Sequence, residues 1–255
     1  MATYLIRKLE QFTRLSAEDK RALERAASLK VRLLRPREDI IREGDRPKQV
    51  TLILDGWAFR YKQLEDGRRQ IMAYLIPGDI CDLRMFILKE MDHSVGAVGP
   101  MRVAEIPADA LIELTESYPR IGRALWWNSL VEEAIGREWI VNNSQRTAFE
   151  RMAHLLCEVF IRLRAVGLTN GRSCELPVTQ AEMADTTGLS AVHVNRTLME
   201  LRDANLIVLK GKTLTIPDLE ALKAAGWFNA KYLHLERDRR EIDAPEGRRS
   251  RHPDL

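Results

Sequence analysis

The chain has 255 residues, 45% of them apolar and 30% charged, an ordinary soluble globular composition that excludes a collagen, a low-complexity polymer or a fully disordered chain. Forty basic residues against 37 acidic ones leave a net charge of +3, too small and too evenly spread to argue for nucleic acid by itself. Apolar runs such as 50–54 fall far short of the roughly 18 residues of a membrane helix, and Arg7, Lys8 and Glu10 stand where a signal peptide would carry its apolar core. A cytoplasmic location without membrane contact is expected. The three cysteines, at 81, 157 and 174, form neither a disulfide framework nor a metal-binding pair.

Along the chain, Ser16 followed by Asp19 has the spacing of a capping box and predicts a helix whose core face holds Leu23, Ala26 and Ala27. After Pro36 the texture changes. Glycines at 44, 56, 67 and 78 punctuate β-leaning segments 50–54, 57–61 and 71–75, and further strands are expected at 94–98 and 102–106. Evenly spaced strands with turn residues predict an antiparallel sandwich or jelly roll. Pro119 then opens a helix whose apolar residues, Leu125, Trp126, Trp127, Leu130, Val131, Ile135, Trp139 and Ile140 among them, cover more than one face. Such a helix must be buried on several sides, within its own domain or against a second copy, and no single heptad seam can be read from it. Residues 142–145 are polar and predict a break, followed by a helix over 147–166. The last twenty residues, rich in Arg, Asp and Pro, are expected to be disordered.

Residues 177–216 carry the chemistry. Thr179 and Glu182 form a second capping box, Gly188 ends that helix, and Ser190 caps the next, which gives a helix-turn-helix. Val194, Leu198 and Leu201 make the core face of the second helix, so Val192, Arg196 and Met199 point outward with Asn195 and His193 beside them. An ordinary solvated face carries Lys and Glu; this one presents groups that can read base edges in a major groove. Segments 206–210 and 213–216 predict a hairpin wing with Lys210 and Lys212 at its tip, placed to meet phosphates. The bland alternative is an αα-hairpin packed in a larger core.

The order of these parts, with "IIREGD" at 40–45, "LILDGWAFRY" at 52–61, "EDGRRQIMAYLIPGDI" at 65–80 and "TQAEMADTTGLSAVHVNRTLMELRDANLIVLKGKTLTI" at 179–216, resembles the Crp/Fnr family of bacterial transcription regulators over about residues 12–220. The resemblance implies an α+β chain in four parts: a cyclic-nucleotide-binding-like β-roll over 1–115, a dimerisation helix and hinge over 116–146, a winged helix-turn-helix over 147–220, and a C-terminal helix and disordered tail over 221–255. It implies a homodimer on a two-fold symmetric operator, for which Leu125, Trp126, Leu130, Ile135, Trp139 and Ile140 of the long helix are the candidate contacts, coupling between an effector site in the roll and the DNA helices, and RNA polymerase as a candidate partner. Ala191, Val192, His193, Asn195 and Arg196 are the candidate base contacts. Thr179, Gln180, Ser190, Lys210 and Lys212 are the candidate phosphate contacts.

The effector is where the sequence departs from its relatives. Cyclic-AMP-binding members carry a Gly-Glu pair, an Arg-Ser pair and a hydroxyl pair on the long helix, whereas here the matching stretches read Cys81-Asp82-Leu83-Arg84, His93-Ser94 and Gly136-Arg137, the last without a hydroxyl. A phosphate needs a fixed cation or backbone donors, and neutral His93 supplies less than Arg. Ile80, Cys81, Asp82, Leu83, Arg84, His93, Ser94, Gly136 and Arg137 are therefore candidate pocket residues for an unknown small molecule or none, and cyclic AMP is not expected. With no cysteine before 81, an iron–sulfur cluster is not expected either. A haem would need His93 or Cys81 as axial ligand, and a lone His is more often structural. No phosphate loop, HExxH or GxSxG occurs, so enzymatic activity is not expected. A regulatory module whose C-terminal domain contacts protein is the alternative, set apart by the outward Arg196 and the wing lysines.

Overall fold

The computed structural model describes residues 1–83, 88 and 90–235; Arg84 and the expected tail over the last twenty residues lie outside the described residues. Helices α1 (Thr3–Leu9) and α2 (Ala17–Ser28) open the chain, and Ser16 caps α2 by accepting the Asp19 N–H while the Asp19 carboxylate accepts from Ser16 N–H. Strands β1 (Val31–Leu34), β2 (Asp39–Ile41), β3 (Gln49–Asp55), β4 (Ala58–Gln63), β5 (Arg69–Leu75), β6 (Ser94–Ala97) and β7 (Met101–Pro107) form two antiparallel sheets of order β1-β7-β3 and β2-β6-β4-β5. The glycine turns set this register. Gly56 has φ +79°, and a Cβ there would lie 2.5 Å from the Met101 Cβ, so only glycine lets β3 turn into β4 beside β7.

Helix α3 (Ala108–Ser117) leads into α4 (Pro119–Gln145), with Pro119 in the first turn where its missing N–H costs nothing. The expected break at 142–145 is corrected: α4 runs through it, and the chain turns at Arg146, which is extended. The polar side chains are satisfied locally. The Ser144 hydroxyl donates to Ile140 O at 2.8 Å, and buried Asn142 donates to Arg151 O of the next helix at 3.3 Å.

Helix α5 (Ala148–Ala165) follows, capped by a Thr147–Glu150 box. Then come β8 (Thr169–Asn170), β9 (Ser173–Glu175), helices α6 (Gln180–Thr187) and α7 (Ala191–Asp203), and β10 (Val208–Lys210) and β11 (Thr213–Thr215). The wing is thus broader than a two-strand hairpin, because β10-β11-β9-β8 form one four-stranded sheet. Helix α8 (Leu219–Ala225) and a 3-10 turn (Ala230–Leu233) close the described chain.

Two apolar cores result. One fills the roll and holds α1, α2 and the start of α4. The other runs from Trp57, Phe59 and Tyr74 on the outer face of the roll, through Trp127, Val131, Ile135 and Trp139 of α4, into the C-terminal helices. Buried ion pairs cross the same junction. Lys8 and Arg162 reach opposite oxygens of Asp79 at 2.6 and 2.8 Å. Burial alone would raise that carboxyl; the two cations hold it below its usual range. Glu158 accepts from Trp139 Nε1 at 2.9 Å and from the Tyr232 hydroxyl at 2.8 Å, so the C-terminal turn is tied back to α4 and α5. No helix among the described residues is long and apolar enough to cross a membrane.

Candidate nucleic-acid interface

Local signals place the two helices of the motif. Thr179 Oγ1 accepts the Glu182 N–H while Glu182 Oε2 accepts the Thr179 N–H at 2.7 Å, which fixes the start of α6. Gly188, at φ +66°, ends it in the left-handed region that glycine adopts without strain. Ser190 Oγ then accepts the His193 N–H at 3.2 Å and starts α7. Val194, Thr197, Leu198 and Leu201 are buried beneath α7.

What remains outside is the face expected from the sequence. Val192 is 82% exposed, Ala191, Asn195, Arg196 and Met199 are exposed, and His193 is half-buried. With Gln180, Glu200 and Asp203 these side chains, His193 apart, line a shallow concavity of about 620 Å³. Arg196 is held only loosely, its Nε 3.7 Å from Glu200 Oε1 one turn on. Asn195 Nδ2 donates to Gln180 Oε1 at 3.2 Å, linking the two helices. Lys210 and Lys212 are exposed on either side of Gly211, and Thr179, Gln180 and Ser190 are exposed at the helix starts. Glu200, Asp203 and the Gln180–Asn195 link were not singled out from sequence; the i, i+4 spacing of Arg196 and Glu200 was the available signal.

The second group of candidates behaves differently. Ile80, Cys81, Asp82 and His93 are buried in the roll, and Leu83 and Ser94 are half-buried. The side chain reaching them is Arg60 of β4, which the sequence reading missed. Its guanidinium donates to Cys81 O at 2.6 Å and to Glu132 Oε2 of α4 at 3.3 Å, and Asn128 Nδ2 donates to Glu132 Oε1 at 3.0 Å. Burial opposes the charge on Arg60, but Glu132 and Asp82 outweigh it and raise its pKa further. Burial pushes the Cys81 thiol up to about 12, so it is neither a thiolate nor a ready ligand at neutral pH. His93 is pushed down, first by burial and then by Arg60, while its Nδ1 lies 2.6 Å from Asp92. Gly136 and Arg137 do not join this group. They lie one turn past Glu132 on the exposed flank of α4, where Arg137 faces Glu133 at 3.8 Å.

The expected dimer residues also divide. Leu125, Ile135 and Trp139 are buried within the chain, with Trp139 edge-on to Tyr74 at 6.2 Å, and are corrected to core positions. Trp126, Leu130 and Ile140 are exposed. With Arg123, Glu133, Arg137 and Ser144 they form one exposed stripe at positions 123, 126, 130, 133, 137, 140 and 144, an alternation of three and four that repeats a heptad.

Comparison with known proteins agrees with this geometry. A cyclic nucleotide-binding domain matches residues 31–118 and a Crp-like helix-turn-helix domain matches residues 150–225. The transcriptional activator protein FnrL of Cereibacter sphaeroides is 30% identical over 178 residues, 69% of this chain and 71% of that protein. The transcriptional activator protein anr of Pseudomonas aeruginosa is 27% identical over 213 residues, 83% of this chain and 86% of that one. The structure of FixK2 from Bradyrhizobium japonicum has the same fold, with a TM-score of 0.69 at 24% identity over 77% of this chain and 96% of that one. A roll, a long helix and a winged helix-turn-helix whose outer face is free, matched in both halves, place the chain in the Crp/Fnr family of transcription regulators.

Proposed function

We propose that this chain is a sequence-specific DNA-binding regulator that acts as a homodimer on a two-fold symmetric operator and needs no nucleotide effector to bind it. The observation that carries the reading is the outer face of α7. Five side chains that can read or pack on base edges, Ala191, Val192, His193, Asn195 and Arg196, stand there unburied or half-buried, flanked by wing lysines. Arg196 has the fork of donors that fits guanine O6 and N7, Val192 can pack on a thymine methyl, and Asn195 can pair with adenine. Thr179, Gln180, Ser190, Lys210 and Lys212 contact phosphates and position the helix. Residues 1–115 serve as the roll, 116–146 as the dimer helix and hinge, and 147–220 as the DNA-binding part.

The dimer is supported by the heptad stripe on α4, whose apolar members Trp126, Leu130 and Ile140 are exposed among the described residues. Independence from cyclic AMP is supported by Arg60, whose guanidinium is already engaged by Cys81 O and by Glu132 of α4, and by Asp82, whose charge opposes a phosphate there. The test is a selection on randomised duplexes with no ligand added, alongside light scattering. A dimer that enriches a palindrome is expected. Leu130→Glu combined with Ile140→Glu should give a monomer and lose about 10²–10⁴-fold in operator affinity, because the second half-site no longer adds to the first. A wild-type monomer, or enrichment that requires cyclic AMP, overturns the corresponding part of the reading. A dimer that enriches no sequence moves the protein-binding alternative ahead.

A further inference from the structure

Gln180 stands at the start of α6, outside the recognition helix, and its exposed position would ordinarily assign it to a phosphate and nothing more. Its carbonyl, however, accepts a hydrogen bond from Asn195 Nδ2 at 3.2 Å, across fifteen positions of sequence and between the two helices of the motif. An asparagine amide has two N–H donors and a carbonyl oxygen, and one donor is now committed. When the N–H trans to the carbonyl is the one donated to Gln180, the carbonyl and the remaining N–H stand on one edge. That edge, acceptor beside donor, matches the N6 donor and N7 acceptor of adenine in the major groove. An untethered asparagine can turn its amide over and present the edge reversed, so by itself it discriminates weakly.

We infer that Gln180 is a positioning residue that locks the amide of Asn195 in the orientation that reads adenine, and so helps to set sequence preference from outside the recognition helix. This rests on the DNA-binding reading above and deepens it. The neighbouring residues leave the task to this pair. Val192, one turn before Asn195, offers no polar group to the groove, and Arg196 points its donors at an acceptor-rich base. Gln180 keeps its own NH₂ free for a phosphate oxygen, so one side chain ties the backbone contact to the base contact.

The two roles of Gln180 separate by substitution, and both positions are exposed, so the fold is not at stake. Gln180→Glu keeps an acceptor for Asn195 but opposes the phosphate. Gln180→Lys keeps a phosphate donor but removes the acceptor. In the randomised-duplex selection, Gln180→Lys should bind with near wild-type total affinity and lose roughly five- to tenfold of the preference for adenine at the position beside the guanine read by Arg196. Gln180→Glu should bind every sequence more weakly and keep that preference. In an Asn195→Ala background, Gln180→Lys should change no base preference, since there is nothing left to orient. If Gln180→Lys retains the adenine preference while Arg196→Ala still relaxes the guanine, the tether has no role and this assignment alone fails. If the wild type enriches no sequence, the DNA-binding reading fails and takes this one with it.

Discussion

The outer face of α7 and the interior of the roll are furnished alike, each with an arginine, a histidine and an asparagine or carboxylate close by, yet they sit on opposite sides of the solvent boundary. Arg196 is 67% exposed and its ion pair with Glu200 is a loose one, 3.7 Å from a carboxylate that is itself exposed. Such a pair contributes little and is readily exchanged for another acceptor. Arg60 is 11% exposed and is fixed by Cys81 O and Glu132. That arrangement cannot be exchanged without leaving a charge stranded in the core. The same guanidinium chemistry makes a reader in one place and a permanent tie between roll and long helix in the other. This is the physical ground for treating Arg196 of α7 as available to a partner and Arg60 of the roll as already engaged.

The comparison breaks most visibly if Arg60 turns out to be replaceable. Glu132→Ala removes the nearer of its two acidic neighbours, leaving Asp82, and should destabilise the fold by up to about 3 kcal/mol, the low end of the cost of breaking a buried pair, read as a lowered Tm by calorimetry. Replacing both partners, Arg60→Met with Glu132→Leu, should recover most of that loss. A cost below about 1 kcal/mol for Glu132→Ala would mean that water reaches the guanidinium, and the interior would again be open to an effector.

On the exposed side the effect is smaller and falls on selectivity. Arg196→Ala should leave the fold intact and cost about 1–3 kcal/mol at one guanine per half-site, with other positions unchanged. Uniform weakening across all sequences would show that Arg196 meets a phosphate and that the reading face has been misplaced.

A buried histidine at the junction sharpens the contrast between sealed and open polar groups. His154 has Nε2 3.2 Å from the Tyr232 hydroxyl and 3.7 Å from Glu138 Oε1, and burial, helped by Arg146, pushes its pKa down to about 3. Between about pH 6.5 and pH 3 the unfolded chain therefore binds a proton that the folded chain refuses. Stability falls as pH falls through that window, by up to roughly 1.4 kcal/mol per unit from this group. Denaturant titrations at several pH values should show the slope, and His154→Gln should flatten it. An unchanged slope in that variant would place the acid sensitivity elsewhere.

How much of this was legible in the sequence follows from how many faces each helix buries. Helix α7 buries one side, Val194, Leu198 and Leu201 with Thr197 beside them, so Val192, Asn195, Arg196 and Met199 could be assigned outward from spacing alone. Helix α4 buries Trp127, Val131, Ile135 and Trp139 in its own chain and leaves Trp126, Leu130 and Ile140 on another side. The two apolar stripes overlap in the sequence and erase each other's period, so the heptad emerges only once the inner stripe is subtracted. Arg60 was missed for a related reason. In a strand with one wet face a charge marks the solvent side, but β4 is covered on both: Phe59 packs in the core shared with α4 and α5, and Ala58, on the face of Arg60, packs inside the roll. Gly136 and Arg137 were placed by analogy with relatives rather than by helical phase, and the phase puts them on the exposed flank. The two-residue strand β8 left too little pattern to find.

The smallest effect tests whether reading and positioning are separate on the exposed surface itself. Lys212 sits at the tip of the wing, where its backbone is held by the Leu176 N–H donating to Lys212 O at 2.7 Å while the side chain extends into solvent. A lysine ammonium is a point charge with rotatable donors, suited to a phosphate and indifferent to the base beside it. Neutralising one phosphate releases about one condensed counterion, so each such contact adds about 0.9 to the slope of log affinity against log salt. Lys212→Ala should therefore weaken every duplex alike and lower the slope by about one per subunit, leaving the preferred sequence unchanged. Should the preferred sequence shift instead, the wing would be reading bases, and the division between a reading helix and a positioning tip would have to be redrawn with Lys212 on the reading side.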